Sequence, residues 1–149
     1  MTANRLILIV EDNPDDELLA LDALRTTRTP CKVVVTRDGV EALDYLFADG
    51  AYAGRDQSVQ PSLVLLDLKL PKLSGFDVLK RIRSDDRTRF TPVVLLTSSS
   101  QDEDMIRGYT AGANSFVRKA VKYESFLDAM RNLGQYWLEV NEIPRLAGR

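Results

Sequence analysis

Histidine is absent from this 149-residue chain, and its absence removes a whole range of chemistry. Without an imidazole the chain has no histidine acid–base catalysis, no histidine metal ligand and no phosphohistidine of its own. The single cysteine, Cys31, cannot form a disulfide within the chain, and its position before an apolar segment indicates a small structural residue. Carboxylates, lysines and hydroxyls are the reactive groups that remain.

Charge and hydropathy exclude further classes of protein. Lys and Arg number 20 and Asp and Glu 22, for a net charge of −2, and no basic run indicates a nucleic-acid partner. No apolar run reaches membrane-spanning length, and the apolar residues 6–10 are too few for a signal peptide. We therefore expect a cytoplasmic protein without a membrane partner. Its length fits one domain over residues 1–149, with a core at about 5–140 and a tail, 141–149, too short for an output domain.

Five short apolar segments alternate with five segments of helical periodicity. The apolar segments are residues 5–10, 32–37, 63–67, 93–97 and 115–118. Asn13 followed by Pro14 predicts the start of the first helix, and Asp38 that of the second. Residues 49–61 lack periodicity and predict a long surface loop. The alternation predicts an α/β fold with a doubly wound parallel sheet.

Polar side chains follow four of the predicted strands. They are Glu11 and Asp12 after the first strand, Asp67 after the third, Thr97 and Ser98 after the fourth, and Lys119 after the fifth. Because parallel strands end on one edge of a sheet, we expect these side chains to meet in one crevice. Clustered carboxylates repel one another, and a hard divalent cation such as Mg²⁺ would remove that repulsion. Asp67 could then attack phosphorus, with Thr97 and Lys119 binding the phosphoryl oxygens.

This set of residues resembles the receiver domains of two-component response regulators. The resemblance rests on Glu11-Asp12, on Asp67 with Pro71 and Gly75 behind it, on Thr97-Ser98, and on Lys119 with Phe116 three residues before it. It implies a flavodoxin-like (βα)5 fold with strand order 2-1-3-4-5. It also implies that Asp67 accepts a phosphoryl group from a sensor histidine kinase in a Mg²⁺-dependent phosphorelay. Such a protein is a phosphoacceptor that assists its own phosphorylation and dephosphorylation, and is not an enzyme.

The resemblance also implies a ligand set for Mg²⁺ and a switch. Asp12 and Asp67 correspond to side-chain ligands, Glu11 to a residue that acts through water, and Lys69 to a residue that offers its backbone carbonyl. Phe116 corresponds to the aromatic residue that turns inward when the hydroxyl of Thr97 swings toward the phosphoryl group, which makes a two-state switch.

One position departs from the family pattern. Most receivers have a proline in a cis peptide after the lysine, whereas Ala120 follows Lys119 here. A cis bond before alanine costs about 3 kcal/mol, so we expect a trans link or a differently shaped loop.

A closer resemblance is to the stand-alone regulators that serve bacterial phytochromes, which implies a phytochrome-type kinase as partner. It rests on Asn13-Pro14-Asp15-Asp16, the long loop through Tyr52 before Pro61, Thr97-Ser98-Ser99, Ala113-Asn114, the missing proline after Lys119, and Tyr136-Trp137-Leu138 with Ile143-Pro144.

The last helix has more apolar residues than its core-facing side can bury, which predicts a contact surface. We assign the stripe Phe126, Met130, Leu133, Trp137 and Val140 to docking of the last helix on the sheet. The residues left over as interface candidates are Tyr123, Leu127, Leu138 and Ile143, together with Met105 and Tyr109 on the fourth helix. This excess predicts a homodimer through the fourth helix, fifth strand and fifth helix.

Three other functions share a related fold. Phosphatases with an aspartate nucleophile place a second Asp two residues later, where this chain has Lys69. A flavin-binding module needs a phosphate loop after the first strand, where Glu11 and Asp12 would repel the phosphate. The third is a receiver-like interaction module that is not phosphorylated, against which the intact Asp67, Thr97 and Lys119 argue.

Overall fold

The computed structural model of the chain describes residues 5–27, 29–119 and 122–144. A parallel five-stranded sheet of order β2-β1-β3-β4-β5 forms its centre, which confirms the predicted α/β fold. The strands are β1 (Leu6–Val10), β2 (Lys32–Thr36), β3 (Leu63–Asp67), β4 (Val93–Thr97) and β5 (Ser115–Arg118). The helices are α1 (Pro14–Leu24), α2 (Gly39–Phe47), α3 (Gly75–Ser84), α4 (Asp102–Thr110) and α5 (Tyr123–Gln135).

The sheet separates the core into two apolar layers. Along β1, Leu6, Leu8 and Val10 face the layer that contains α2 and α3. Ile7 and Ile9 face the opposite layer, which contains α1 and α5. The strands β1, β3 and β4 are buried along their whole length, as parallel strands covered on both faces should be. Close packing on both sides therefore holds the carboxyl ends of these three strands in fixed positions.

Side-chain caps begin α1 and α2 where the sequence predicted. The Oδ1 atom of Asn13 accepts the backbone N–H of Asp15 at 2.9 Å and of Asp16 at 3.2 Å. Pro14 occupies the first turn, where a missing N–H costs nothing. Asp38 caps α2 in the same way. The caps start each helix within a few residues of a strand end, so they help to orient the loops that follow β1 and β2.

The predicted loop between α2 and β3 is tied to α2. It contains a short 3-10 turn, Gly50–Tyr52. The guanidinium of Arg55 lies 4.2 Å from the centre of the Tyr45 ring. The same group donates to the backbone carbonyls of Tyr45 and Leu46 at 2.6 and 3.1 Å. The loop is irregular in backbone but fixed in place by these contacts.

One of the predicted contact residues of the last helix is buried in the structure. Leu138 is a core residue with 0% of its surface exposed, so the prediction that it is free for a partner is wrong. Leu138 lies in a π-helical turn, Tyr136–Val140, and the extra residue in such a turn rotates the face that a helix buries. Val140, assigned above to the docking stripe, is consequently 65% exposed. Buried positions instead recur every four residues, at Phe126, Met130, Gly134 and Leu138.

The other interface candidates differ in exposure. Tyr109 and Tyr123 are exposed. Met105, Leu127 and Ile143 are half-buried, and Leu127 packs against the layer that contains α1 and α5. Among the described residues, no helix combines the length and the apolar composition needed to cross a membrane.

Gly75 generates a prediction about the strand end that carries Asp67. A Cβ atom at Gly75 would collide with the carbonyl oxygen of Asp67 and lie 2.8 Å from the Cα of Leu68. Neither backbone atom can move without displacing the end of β3. We expect Gly75→Ala to lower the free energy of unfolding by about 2 kcal/mol, measured by urea denaturation.

Gly54→Ala is the matched control for this substitution. No heavy atom of the described residues lies within 4 Å of a Cβ placed at Gly54. This variant should change the free energy of unfolding by less than about 0.5 kcal/mol. Equal stability of the two variants would contradict the close approach at Gly75.

Candidate functional site

The parallel sheet brings the polar residues of four strands to one edge. Glu11 and Asp12 directly follow β1, Asp67 ends β3, Thr97 ends β4 and Lys119 follows β5. An open cleft of about 480 Å³ lies at this edge. Its lining residues are Asp12, Asn13, Pro14, Asp16, Asp67, Lys69, Ser98 and Lys119.

An acidic cluster forms one side of the cleft. One carboxylate oxygen from each of Glu11, Asp12 and Asp67 lies within 4.8 Å of the other two. Glu11 and Asp67 are buried, whereas Asp12 is exposed and its carboxylate has no hydrogen-bond partner among the described residues. Oxygen ligands at this spacing, with one of them open to water, suit a hard divalent cation. Lys69 lies at the rim, and its backbone N–H donates to Asp67 Oδ1 at 3.3 Å.

Lys119 lies between three carboxylates. Its Nζ atom donates to Glu11 Oε1 at 2.9 Å, to Asp16 Oδ2 at 2.7 Å and to Asp67 Oδ2 at 3.3 Å. The Lys119 side chain is only 13% exposed. It therefore supplies, inside the cleft, the positive charge that lets buried carboxylates lie close together.

Burial and neighbouring charges shift the pKa values of two groups in the site. Burial raises the pKa of Glu11 to about 7; the Asp67 carboxylate also raises it, while Lys119 opposes the shift. Burial works against the charge of Lys119, but its contacts with Asp16 and Glu11 outweigh burial and raise the pKa of the ammonium. Lys119 is therefore charged at neutral pH. When no cation is bound, the Glu11 carboxyl is partly protonated at the same pH.

The hydroxyl of Thr97 is held by the loop that leads to α4. Its Oγ1 atom accepts the backbone N–H of Ser99 at 3.0 Å, and Thr97 itself is buried. Ser99 in turn donates its hydroxyl to Asp104 at 2.6 Å. Ser98, the exposed residue between them, lines the cleft. The hydroxyl of Thr97 thus lies next to the cleft, and it can exchange its hydrogen bond with the Ser99 N–H for one to another group.

Phe116 lies away from the cleft, on the side of the sheet that α4 covers. It is half-buried against the layer that contains α2 and α3. A Cβ atom at Gly108 of α4 would lie 3.4 Å from its ring. Phe116 therefore couples β5 to α4 and does not contact the acidic cluster directly. The Lys119–Ala120 peptide lies outside the described residues.

Asp16 is a residue of the site that the sequence analysis did not single out. Acidic residues are favourable in the first turn of any helix, so the presence of Asp16 at the start of α1 did not indicate a role in the site. The available signal was its spacing of four residues from Asp12, which is about one helical turn.

Comparison with known proteins identifies similar chains. A family model described as the response regulator receiver domain matches residues 7–131. The probable methanogenesis regulatory protein FilR2 of Methanothrix harundinacea is 37% identical over 93% of this chain and 87% of its own length. The response regulator Rcp1 of Synechocystis is 32% identical over 94% of this chain and 93% of its own length.

Solved structures agree with this comparison. The phosphorylated cyanobacterial phytochrome response regulator RcpA superposes with a TM-score of 0.88 at 34% identity, covering 95% of this chain and 99% of its own. The Mn²⁺-bound form of Rcp1 gives 0.87 at 31% identity with the same coverage. The bacteriophytochrome response regulator AtBRR gives 0.73 at 48% identity, covering 93% of this chain and 98% of its own.

The raised pKa of Glu11 predicts a pH-dependent cation affinity. Because the folded pKa of about 7 exceeds the ordinary 4.5, the metal-free fold gains stability from this proton at low pH and loses it as pH rises toward 7. A cation competes with that proton. We expect Mg²⁺ affinity, measured by calorimetry, to fall about fivefold from pH 7 to pH 6 and to level off above pH 8.

Glu11→Gln is the control for this effect. The amide carries no titrating proton, so its weaker Mg²⁺ affinity should vary little over the same pH range. An equally steep pH dependence in both proteins would assign the titration to another group.

Proposed function

The chain belongs to the response regulator receiver domain family, and on that premise we propose that Asp67 is the phosphoacceptor of a two-component phosphorelay. The observation that carries the proposal is the position of Asp67, at a cleft that also holds Lys119 and two further carboxylates of a cation-binding cluster. The Asp67 carboxylate is buried on its core side and reaches the cleft on the other. A phosphodonor can therefore approach it from solvent.

The proposed reaction is a displacement at phosphorus. A carboxylate oxygen of Asp67 forms the new P–O bond while the P–N bond of a kinase phosphohistidine breaks, and its electron pair leaves with the imidazole. Lys119 donates N–H groups to the phosphoryl oxygens, and the Thr97 hydroxyl leaves the Ser99 N–H to reach them. When bound, Mg²⁺ supplies positive charge that offsets both the carboxylates and the phosphoryl oxygens.

We assign Mg²⁺ to the acidic cluster on the chemistry of its ligands. Asp12 and Asp67 would bind it through their side chains, Glu11 through water and Lys69 through its backbone carbonyl. An all-oxygen ligand set favours Mg²⁺, Ca²⁺ and Mn²⁺ over softer metals. The Mn²⁺-bound structure of Rcp1 supports a divalent cation in this family.

The proposed phosphodonor is a sensor histidine kinase of the phytochrome type. RcpA and AtBRR, which match nearly the whole chain, are described as phytochrome and bacteriophytochrome response regulators. A kinase that is charged by ATP acts in the cytoplasm, so we propose that compartment for this chain as well. FilR2 is named for methanogenesis, and a kinase of another input class is therefore the alternative that a transfer assay should include.

We further propose that the protein is a phosphoacceptor and not a phosphatase. Lys69 stands two residues after Asp67, where a phosphatase of the alternative class needs a carboxylic acid. The aspartyl phosphate is then hydrolysed only as fast as the receiver itself assists the attack of water.

Replacing the phosphoacceptor tests this function. With Mg²⁺ and acetyl phosphate, the wild-type protein should gain the mass of one phosphoryl group in intact mass spectrometry. Asp67→Asn should gain none, and chelation of Mg²⁺ should abolish the adduct on the wild type. Asp22→Asn, on the exposed side of α1, should be phosphorylated like the wild type. An adduct that persists on Asp67→Asn would place the acceptor elsewhere.

A homodimer through α4, β5 and α5 is the second part of the proposal. Ile106 and Tyr109 on α4 and Tyr123 at the start of α5 are large, apolar and exposed. Half-buried Met105 and Leu127 lie on the same two helices. Large apolar side chains on neighbouring elements favour association, and a two-fold axis lets one surface cover itself.

Light scattering tests the dimer at micromolar concentration, with and without phosphorylation. We expect a dimeric mass for the wild type and a monomeric mass for Tyr109→Glu, because the new charge would be buried without a partner. Leu18→Glu, at an exposed apolar position on α1, is the matched control and should remain dimeric. A monomeric wild type under both conditions would refute the proposed surface.

A further inference from the structure

Asp16 contacts Lys119 without belonging to the acidic cluster. Its Oδ2 atom lies 2.7 Å from Lys119 Nζ, the shortest of the three ion pairs that Lys119 makes. The cluster of carboxylates spaced for a cation consists of Glu11, Asp12 and Asp67. Asp16 therefore needs a role other than that of a cation ligand.

The ammonium of Lys119 has no free donor. It carries three N–H groups, and the three carboxylate oxygens of Glu11, Asp16 and Asp67 lie around it at hydrogen-bonding distance. A phosphoryl oxygen that binds Lys119 must therefore displace one of the three. The side chains of Glu11 and Asp67 are only 4% and 9% exposed, whereas the Asp16 side chain is 27% exposed and can turn toward water. Asp16 is thus the carboxylate that gives way at the lowest cost.

We propose that Asp16 is a positioning residue that holds Lys119 before phosphorylation and competes with the phosphoryl group for it. The inference rests on the proposed function of Asp67. In the resting protein Asp16 draws the ammonium toward α1, and on phosphorylation the phosphoryl oxygens replace Asp16. Glu11 keeps Lys119 at the cleft throughout, so loss of Asp16 removes the competitor and leaves the lysine in place.

The neighbouring Asp15 provides a matched control. It lies in the same first turn of α1, carries the same charge, and likewise gives its backbone N–H to Asn13. Its carboxylate has no partner among the described residues. Substitution to asparagine at either position changes net charge and helix-end electrostatics equally, and only the one at Asp16 breaks a contact with Lys119.

Binding of beryllofluoride, a mimic of a phosphoryl group on a carboxylate, measures the competition. With Mg²⁺ saturating, calorimetry should show binding to Asp16→Asn about fivefold tighter than to the wild type. Asp15→Asn should stay within about twofold, because its charge is screened by solvent. Asp16→Glu restores the carboxylate and should return the affinity toward that of the wild type.

Each other outcome counts against a stated part of the proposal. Equal or weaker binding to Asp16→Asn overturns the competition, as does an equal gain in Asp15→Asn. A loss of more than about tenfold in Mg²⁺ affinity in Asp16→Asn would make Asp16 a cation ligand and also overturn it. If the wild type binds Mg²⁺ but no beryllofluoride, the proposed function of Asp67 fails, and this inference fails with it.

Discussion

The ion pairs of Lys119 are the interaction on which the arrangement of the cleft depends. One ammonium joins Glu11 beyond β1, Asp16 on α1 and Asp67 at the end of β3, and it reaches them from the end of the edge strand β5. Without that charge, the buried carboxylates would repel one another, and the pKa of Glu11 would rise further. Three regions that are distant in sequence, residues 11–16, Asp67 and Lys119, are therefore held at one point by a single side chain. On the proposed function, the same side chain would bind the incoming phosphoryl group.

The rest of the fold serves to keep this point fixed. Two apolar layers pack against the sheet, so the ends of β1 and β3 cannot shift relative to each other without disturbing both. Gly75 lets α3 approach the backbone of Asp67 more closely than any side chain would permit. On the far side, Thr97, Ser99 and Asp104 form a short chain of hydrogen bonds from the cleft to α4. Movement of the Thr97 hydroxyl would break the first of these bonds, which gives the cleft a physical connection to the α4 surface.

The sequence predicted the elements whose signals are local or periodic. Runs such as residues 6–10 and 63–67 are typical of buried parallel strands, and parallel strands place their following residues at one edge. Two features could not be predicted in this way. Asp16 has a sufficient local explanation as a first-turn acid, and its contact with Lys119 depends on a β5 end more than 100 residues away. Leu138 fits the predicted stripe as a surface residue, whereas the helix buries every fourth residue from Phe126 to Leu138 and ends in a π-helical turn.

The start of α1 offers little to bind a phosphoryl group in the proposed reaction. A helix N-terminus can bind phosphate through its free N–H groups, but here Asn13 Oδ1 occupies those of Asp15 and Asp16. Acidic residues in the same turn further cancel the positive end of the helix dipole. This arrangement also argues against a flavin phosphate at that loop. Lys119 and, at the rim, Lys69 are then the basic residues that line the cleft, against the carboxylates of Glu11, Asp12, Asp16 and Asp67. On the proposed function, a phosphoryl group on Asp67 would add to that excess of negative charge, so its stability would depend on a divalent cation and on how completely Lys119 can leave Asp16.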